Sequence, residues 1–375
     1  MRTALVYTDG YARYDYGPEH PLRMARLRLT FELMEALQLT ALPETKLLIP
    51  EPAPEAALLG FHTAEYLEVL RAASQGLALP APYRYGLGPG DNPIFPGLWE
   101  VATLIAGGSL LAARLVADGE AERAFHFAGG LHHAMPDRAS GFCYINDAVL
   151  AIQALVGRGL RALYIDIDAH HGDGVQHAFY RTDRVLTIST HERGDRLFPG
   201  TGFVEELGEG PGRGYSVNLP LHPGTDDEVY LEAFETVVPP LASAFRPDVV
   251  VTQLGIDGHR TDPLTHLALT VNGFARAVRR ILALAPRLVA LGGGGYDLGN
   301  VARAWSIAWA LMNEVEPPDR LPEPFLRASG RFFRAPELWD PPSPEPPAAR
   351  HAARAFAQRQ VEAIRRTIFP LHRLA

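Results

Sequence analysis

The chain has 375 residues, 35 basic and 43 acidic side chains, a formal net charge of −8 and a single cysteine, Cys143. One cysteine excludes an intrachain disulfide and any cysteine-based zinc module, so a metal here has to be held by histidine and carboxylate. The acidic balance argues against a nucleic-acid binder, which would carry excess basic charge.

With 47% hydrophobic and 21% charged residues, the composition supports a sizeable buried core. Residues 3–7 read as a short strand followed at once by Asp9, Gly10 and Arg13, so no signal peptide is expected. No apolar stretch of ~18 residues runs free of charges and breakers. A cytoplasmic protein without a membrane span is the expectation.

In chain order, strands are expected at 3–7, 124–127, 163–168, 185–191, 216–219, 249–254 and 288–291. Helical patterns occupy 23–39, 98–118, 147–158, 227–245, 272–284 and 300–312. Residues 78–92, rich in Pro, Gly and Tyr, form a long loop of the kind that often carries function. Continuously apolar strands separated by helices indicate a parallel sheet covered on both faces. The alternation runs unbroken to about residue 315, so one three-layer α/β domain over 1–375 is expected. After Glu314 prolines crowd at 316–318 and 341–347, reading as an extended wrap, and 348–367 forms a last helix.

Polar residues collect after the strands, where open parallel sheets bind ligands. The strand 163–168 runs into Asp166-Ile167-Asp168-Ala169-His170-His171-Gly172-Asp173-Gly174. Alternation sets Asp166 and Asp168 on one side, with His170 two residues on. Two carboxylates and two imidazoles so close call for a cation, and their oxygen and nitrogen atoms suit zinc. Gly255-Ile256-Asp257 follows another buried strand and offers a third ligand, leaving a position for water.

Gly129-Gly130-Leu131-His132-His133 ends a third strand. A neutral imidazole can serve as general base and a protonated one as general acid, with Asp166 and Asp173 as orienting partners. Gly292-Gly293-Gly294-Gly295-Tyr296 lacks the spacing of a phosphate cradle and reads as a turn that projects Tyr296 as a donor.

In this order, together with Ser140-Gly141-Phe142-Cys143-Tyr144-Ile145-Asn146-Asp147 and Phe198-Pro199-Gly200-Thr201-Gly202, these motifs resemble the zinc-dependent histone deacetylase superfamily. The similarity is greatest to class I enzymes and to bacterial acetoin-utilisation-type deacetylases, and it covers about 20–312. The resemblance implies the arginase/deacetylase α/β/α fold around a mostly parallel eight-stranded sheet. It implies Zn2+, with Fe2+ as an option, on Asp168, His170 and Asp257. His132 and His133 match the catalytic pair, backed by Asp166 and Asp173, and Tyr296 matches the transition-state tyrosine. Gly141, Phe142, Phe198 and Leu264 match the acyl-lysine tunnel, and Asp91 a rim carboxylate that grips substrate amides. Arg26 matches an arginine of the product channel, and Cys143 becomes a packing residue beside the tunnel.

Structural K+ is implied at an inner site (Asp166, Asp168, His170, Ser189, Thr190) and an outer one (Phe179, Thr182, Val185, Tyr215). Expected substrates are acetylated lysines of a protein or peptide, an acyl-CoA synthetase among the candidates.

Two departures stand out. Ile256 replaces the alanine usual before the third ligand, and the loop 258–266 follows the acetoin-type branch. Apolar Leu264 disfavours a cationic polyamine, and His259 reads as an exposed loop residue. Acetylpolyamine hydrolysis, a dinuclear manganese hydrolase like arginase, and an acyl-lysine-binding module without activity are the alternatives.

Overall fold

The computed structural model describes residues 1–284, 287–341 and 347–375; most of the expected proline-rich stretch at 341–347 lies outside them. Eight strands, β1 Thr3–Val6, β2 Thr45–Leu48, β3 Arg123–His126, β4 Ala162–Asp166, β5 Val185–Glu192, β6 Ser216–Leu221, β7 Val249–Gln253 and β8 Leu288–Leu291, form one sheet. Their order is β2-β1-β3-β8-β7-β4-β5-β6. Every pairing is parallel, so the expected "mostly parallel" sheet is parallel throughout.

Successive residues of the central strands feed opposite buried layers. Leu163 and Ile165 of β4, and Leu288 and Ala290 of β8, pack on one face. Ala162, Tyr164, Val289 and Leu291 pack on the other. Burying one such aliphatic side chain stabilises by ~1.5–3 kcal/mol. An exposed ion pair contributes ~0–1 kcal/mol, so the two apolar layers, rather than surface charge, hold the sheet.

The helix Leu98–Ala117 is long and apolar enough to cross a membrane, but 67% of its most apolar window is buried inside the fold. It lies in the layer over β3. The helix Leu298–Met312 is buried from Gly299 to Met312, and a helix inside a core has no polar face. It carries Arg303, whose charge is met by Asp340 at 2.9 Å.

Elements not expected include edge strand β2, the short helix Glu55–Leu58 and the helix Ala64–Ser74, the last capped by the Thr63 side chain on the Tyr66 N–H. The wrap after Glu314 is not wholly extended, since it contains the helix Glu323–Ser329.

The wrap is pinned by Asp340, whose carboxylate meets His259 Nε2 at 2.7 Å, Arg303 Nη1 at 2.9 Å and the Val271 N–H at 2.8 Å. His259 is therefore a buried strut, 2% exposed, and not the exposed loop residue expected. The loop 258–262 folds back on helix Leu298–Met312 through Asn300, which lies 2.9 Å from His259 Nδ1.

Burial raises the Asp340 carboxyl pKa, but the His259 hydrogen bond and the Arg303 charge outweigh it and hold the group below the usual carboxylate range. A depressed folded-state pKa gives stability that is complete above the ordinary carboxylate value of ~4 and fades as pH falls through the lowered one. Asp340→Asn should therefore cost roughly 3 kcal/mol at neutral pH. That gap from the parent should close in urea titrations carried progressively below ~pH 4.

Candidate active site

The four motif clusters leave four adjacent strands, β3, β8, β7 and β4, at their carboxyl ends. Sheet order thus brings residues 132–133, 166–173, 257 and 292–296 to one place.

Asp168, His170 and Asp257 offer ligand atoms within 4.8 Å of one another, and all three are buried. His170 Nδ1 lies 2.7 Å from Asp257 Oδ2 and 3.1 Å from Asp168 Oδ1. Burial would push this imidazole toward neutrality, yet the two carboxylates raise its pKa well above the usual value. The site thus demands a positive charge between two acids with almost no access to water. The oxygen–nitrogen–oxygen donor set fits a zinc- or iron-sized divalent ion, which would replace that proton.

Both acids also accept hydrogen bonds from outside the trio. Asp168 Oδ2 accepts from Gln253 Nε2 and the Gly294 N–H, both at 2.7 Å. Asp257 Oδ1 accepts from the Ala169 N–H at 2.8 Å. Such outer contacts fix the orientation of metal ligands.

Beside them stand two imidazoles, each with Nδ1 on a carboxylate: His132 on Asp166 at 2.8 Å and His133 on Asp173 at 2.7 Å. Their Nε2 atoms are 3.0 Å apart. Burial disfavours charge on His132, but Asp166 and Asp168 overcome it and raise its pKa to about 9. Burial and the neighbouring His132 charge lower His133 to about 4. Within the pair, positive charge is thus favoured on His132 over His133.

Tyr296 hangs from the glycine turn after β8. Its N–H donates to Asp262 Oδ2 at 2.9 Å, while the next residue, Asp297, caps helix Leu298–Met312 through the N–H groups of Gly299 and Asn300. Burial, followed by the charges of Asp257 and Asp168, pushes the Tyr296 phenol well above its usual pKa.

Tyr296, His132, His133, Asp168, His170 and Arg26 share the lining of one cavity of about 20 Å³, with Cys143 also on its wall. Arg26 is buried, donates from Nη1 to the Gly293 carbonyl at 2.8 Å and lies over the Trp305 ring.

Phe198 stands edge-on to His133 at 5.0 Å and Phe142 edge-on to Tyr296 at 5.8 Å, so the two rings flank the approach. Gly141 adopts φ +50° beside them, and a β-carbon there would strike the rings of His133 and Phe198. Leu264 is half-buried, its N–H on Asp262 Oδ1 at 3.0 Å. Asp91 is exposed on the long loop, where its carbonyl meets His20 Nε2 at 3.2 Å.

Beneath the site Asp166 pairs in register with Ser189, and the Thr190 hydroxyl reaches the Asp166 carbonyl at 3.1 Å. Phe179, Thr182, Val185 and Tyr215 lie around the start of β5. There the Phe179 carbonyl accepts from Thr182 N–H at 3.3 Å, and the Tyr215 carbonyl from Thr187 N–H at 2.9 Å.

Several positioning groups were not singled out from sequence: Gln253, Asp262, Asn146 and Asp147. Asn146 Nδ2 bonds the carbonyls of His132 and Ala134, both at 3.0 Å. Asp147, fully buried, accepts from Gly130 N–H at 2.9 Å, Leu131 N–H at 2.8 Å and Ser109 Oγ at 2.5 Å. Both lie in the motif that begins at Ser140, which was the available signal. Asp147→Ala strands these donors at ~1–3 kcal/mol each. Urea unfolding should show a loss of about 3–5 kcal/mol, and a slackened histidine loop should lower kcat more than about tenfold.

A family model described as the histone deacetylase domain matches residues 20–312. The acetoin utilization protein AcuC of Bacillus subtilis (strain 168) is 41% identical over 333 residues, 86% of this chain and 85% of its own. Histone deacetylase RPD3 of Saccharomyces cerevisiae is 38% identical over 323 residues, 86% of this chain and 74% of its own. Among solved structures, an HDAC homolog complexed with SAHA has a TM-score of 0.87 and 33% identity, covering 96% of this chain and 100% of that one. An HDAC homolog from Aquifex aeolicus has a TM-score of 0.86 at the same identity and coverage. With most of its length matched in sequence and nearly all of it in fold, the chain belongs to the histone deacetylase family.

Proposed function

We propose that this protein is a metal-dependent lysine deacetylase, an amidohydrolase that releases acetate from the ε-nitrogen of acetylated lysine in proteins or peptides. The observation that carries this reading is one small cavity lined by Asp168 and His170 of an Asp/His/Asp donor set, two carboxylate-backed histidines and a tyrosine. When bound at Asp168, His170 and Asp257, a zinc or iron(II) ion supplies Lewis acidity toward the amide carbonyl and toward the attacking water.

The chain's own residues do the rest. His133, neutral and held through Nδ1 by Asp173, takes the proton of the attacking water on Nε2 and later returns it to the leaving amine. His132, kept charged by Asp166, stabilises the negative charge that develops beside it. Tyr296 donates a hydrogen bond to the oxygen that becomes anionic. Phe142, Phe198, Gly141 and Leu264 form the walls along which the acyl-lysine arm enters, Asp91 grips the peptide backbone, and Arg26 lies where acetate leaves.

Structural K+ at the inner and outer sites, a cytoplasmic setting, and an acyl-CoA synthetase as protein substrate belong to the same reading.

Acetate release should be measured on an acetyl-lysine peptide and on acetylputrescine. The expected result is a kcat/KM at least about tenfold higher on the peptide, a difference of ~1.4 kcal/mol in transition-state binding. The opposite preference would assign the site to small amides.

A further inference from the structure

We propose that His20 is a positioning residue for peptide recognition: one ring ties the loop bearing Asp91 to the tunnel wall at Phe142, and so sets where the backbone grip stands relative to the acyl-lysine tunnel. The inference rests on the reading of Asp91 as the rim carboxylate.

The hydrogen bonds of His20 define its tautomer. Leu22 N–H lies 3.0 Å from His20 Nδ1 and can only donate, so Nδ1 is the acceptor and carries no proton. The ring proton is then on Nε2, which donates to the Asp91 carbonyl at 3.2 Å. Partial burial favours this neutral form, against the pull of the nearby acids Asp91 and Asp15.

The same ring lies edge-on to Phe142 at 4.6 Å and tilted against Tyr16 at 4.8 Å. The Tyr16 hydroxyl in turn donates to the Phe142 carbonyl at 3.1 Å. The rim loop closes on itself through Asn92, whose side chain donates to the Gly86 carbonyl at 3.0 Å and whose carbonyl accepts the Gly88 N–H at 3.0 Å. His20 thus joins two parts of the mouth that are far apart in sequence, and Asp91 is the residue it touches.

Two substitutions separate the jobs of the ring. His20→Asn keeps an oxygen to accept Leu22 N–H, as an Asx turn does, but is too short to reach Asp91. His20→Gln gives up that turn and keeps an N–H near the position of Nε2. With an acetyl-lysine peptide, His20→Asn should raise KM roughly tenfold with kcat within about threefold, as loss of one oriented binding contact predicts. His20→Gln should recover most of that loss. The peptide-to-acetylcadaverine ratio of kcat/KM should fall in His20→Asn, because acetylcadaverine has the lysine arm without the backbone.

Asp91→Ala should raise the peptide KM similarly, and the double variant should be no worse than Asp91→Ala alone. A parental KM in His20→Asn with a raised one in His20→Gln would assign the ring to the Leu22 turn and overturn the proposal. An equal loss on acetylcadaverine would place its effect on the tunnel wall and also overturn it. If Asp91→Ala leaves the peptide KM unchanged, the rim reading itself fails and takes this inference with it. An effect in Asp91→Ala with none in His20→Asn refutes His20 alone.

Discussion

Tyr296→Phe should lower kcat on an acetyl-lysine peptide by about 10²–10³-fold, because removal of one oriented oxyanion donor costs ~2.7–4 kcal/mol. The size of the effect follows from how firmly the donor is held. Its N–H is fixed on Asp262, Asp297 starts the next helix one residue later, and Phe142 lies against its ring. A phenol whose pKa is raised by burial and by Asp257 and Asp168 stays protonated across the working pH range. It therefore donates without first losing a proton. The substitution removes one oxygen and no packing, so the urea midpoint should stay near that of the parent. Retention of more than about a tenth of the rate would remove Tyr296 from the role, since an oxyanion donor contributes ~10²-fold or more.

His133→Ala should be comparably severe, with a loss of at least about 100-fold in kcat, the usual scale for general acid–base catalysis. Of the two imidazoles only this one is neutral at pH 7, because burial and the His132 charge hold it at about 4. Its Nδ1–H is committed to Asp173, leaving Nε2 for the proposed base role. His132 is already protonated, with a pKa pushed up to about 9 by Asp166 and Asp168 despite burial. The sign for pH follows: activity should fall on the acid side as His133 takes up a proton, and raising pH toward 9 should discharge His132. His132→Ala is expected to cost less than His133→Ala, since it removes a charge and not the base. The reverse ranking in steady-state kinetics would exchange the two roles.

Much of the site was legible because its chemistry sits at strand ends, and strand ends are local features of sequence. Apolar runs that end at or a few residues before Asp166, Asp257 and Tyr296 mark where the chain leaves the sheet. The spacing Asp168-Ala169-His170 sets two candidate ligands side by side without knowledge of the fold. Strand order was not legible, since no local pattern says that β8 and β7 lie between β3 and β4. The positioning groups escaped for a related reason. Gln253 is one polar residue at the end of a buried run, and its value appears only when Asp168 arrives 2.7 Å away from a neighbouring strand.

His259 looked like an ordinary loop residue because its partner, Asp340, is 81 positions further along the chain. The edge strand β2 is four residues long, contains Lys46 and is half exposed, so neither alternation nor a continuous apolar run marks it. The helix Ala64–Ser74 did carry a signal: the Thr63 cap followed by buried Tyr66, Leu67, Leu70 and Ala73 at helical spacing.

Metal reconstitution tests the central claim most directly. Protein stripped with a chelator should lose acetyl-lysine hydrolysis and regain it with one equivalent of Zn2+ or Fe2+ per chain. Asp257→Ala should lose metal binding and turnover together. Turnover by the stripped chain, or a requirement for two transition-metal ions per chain, would contradict the account.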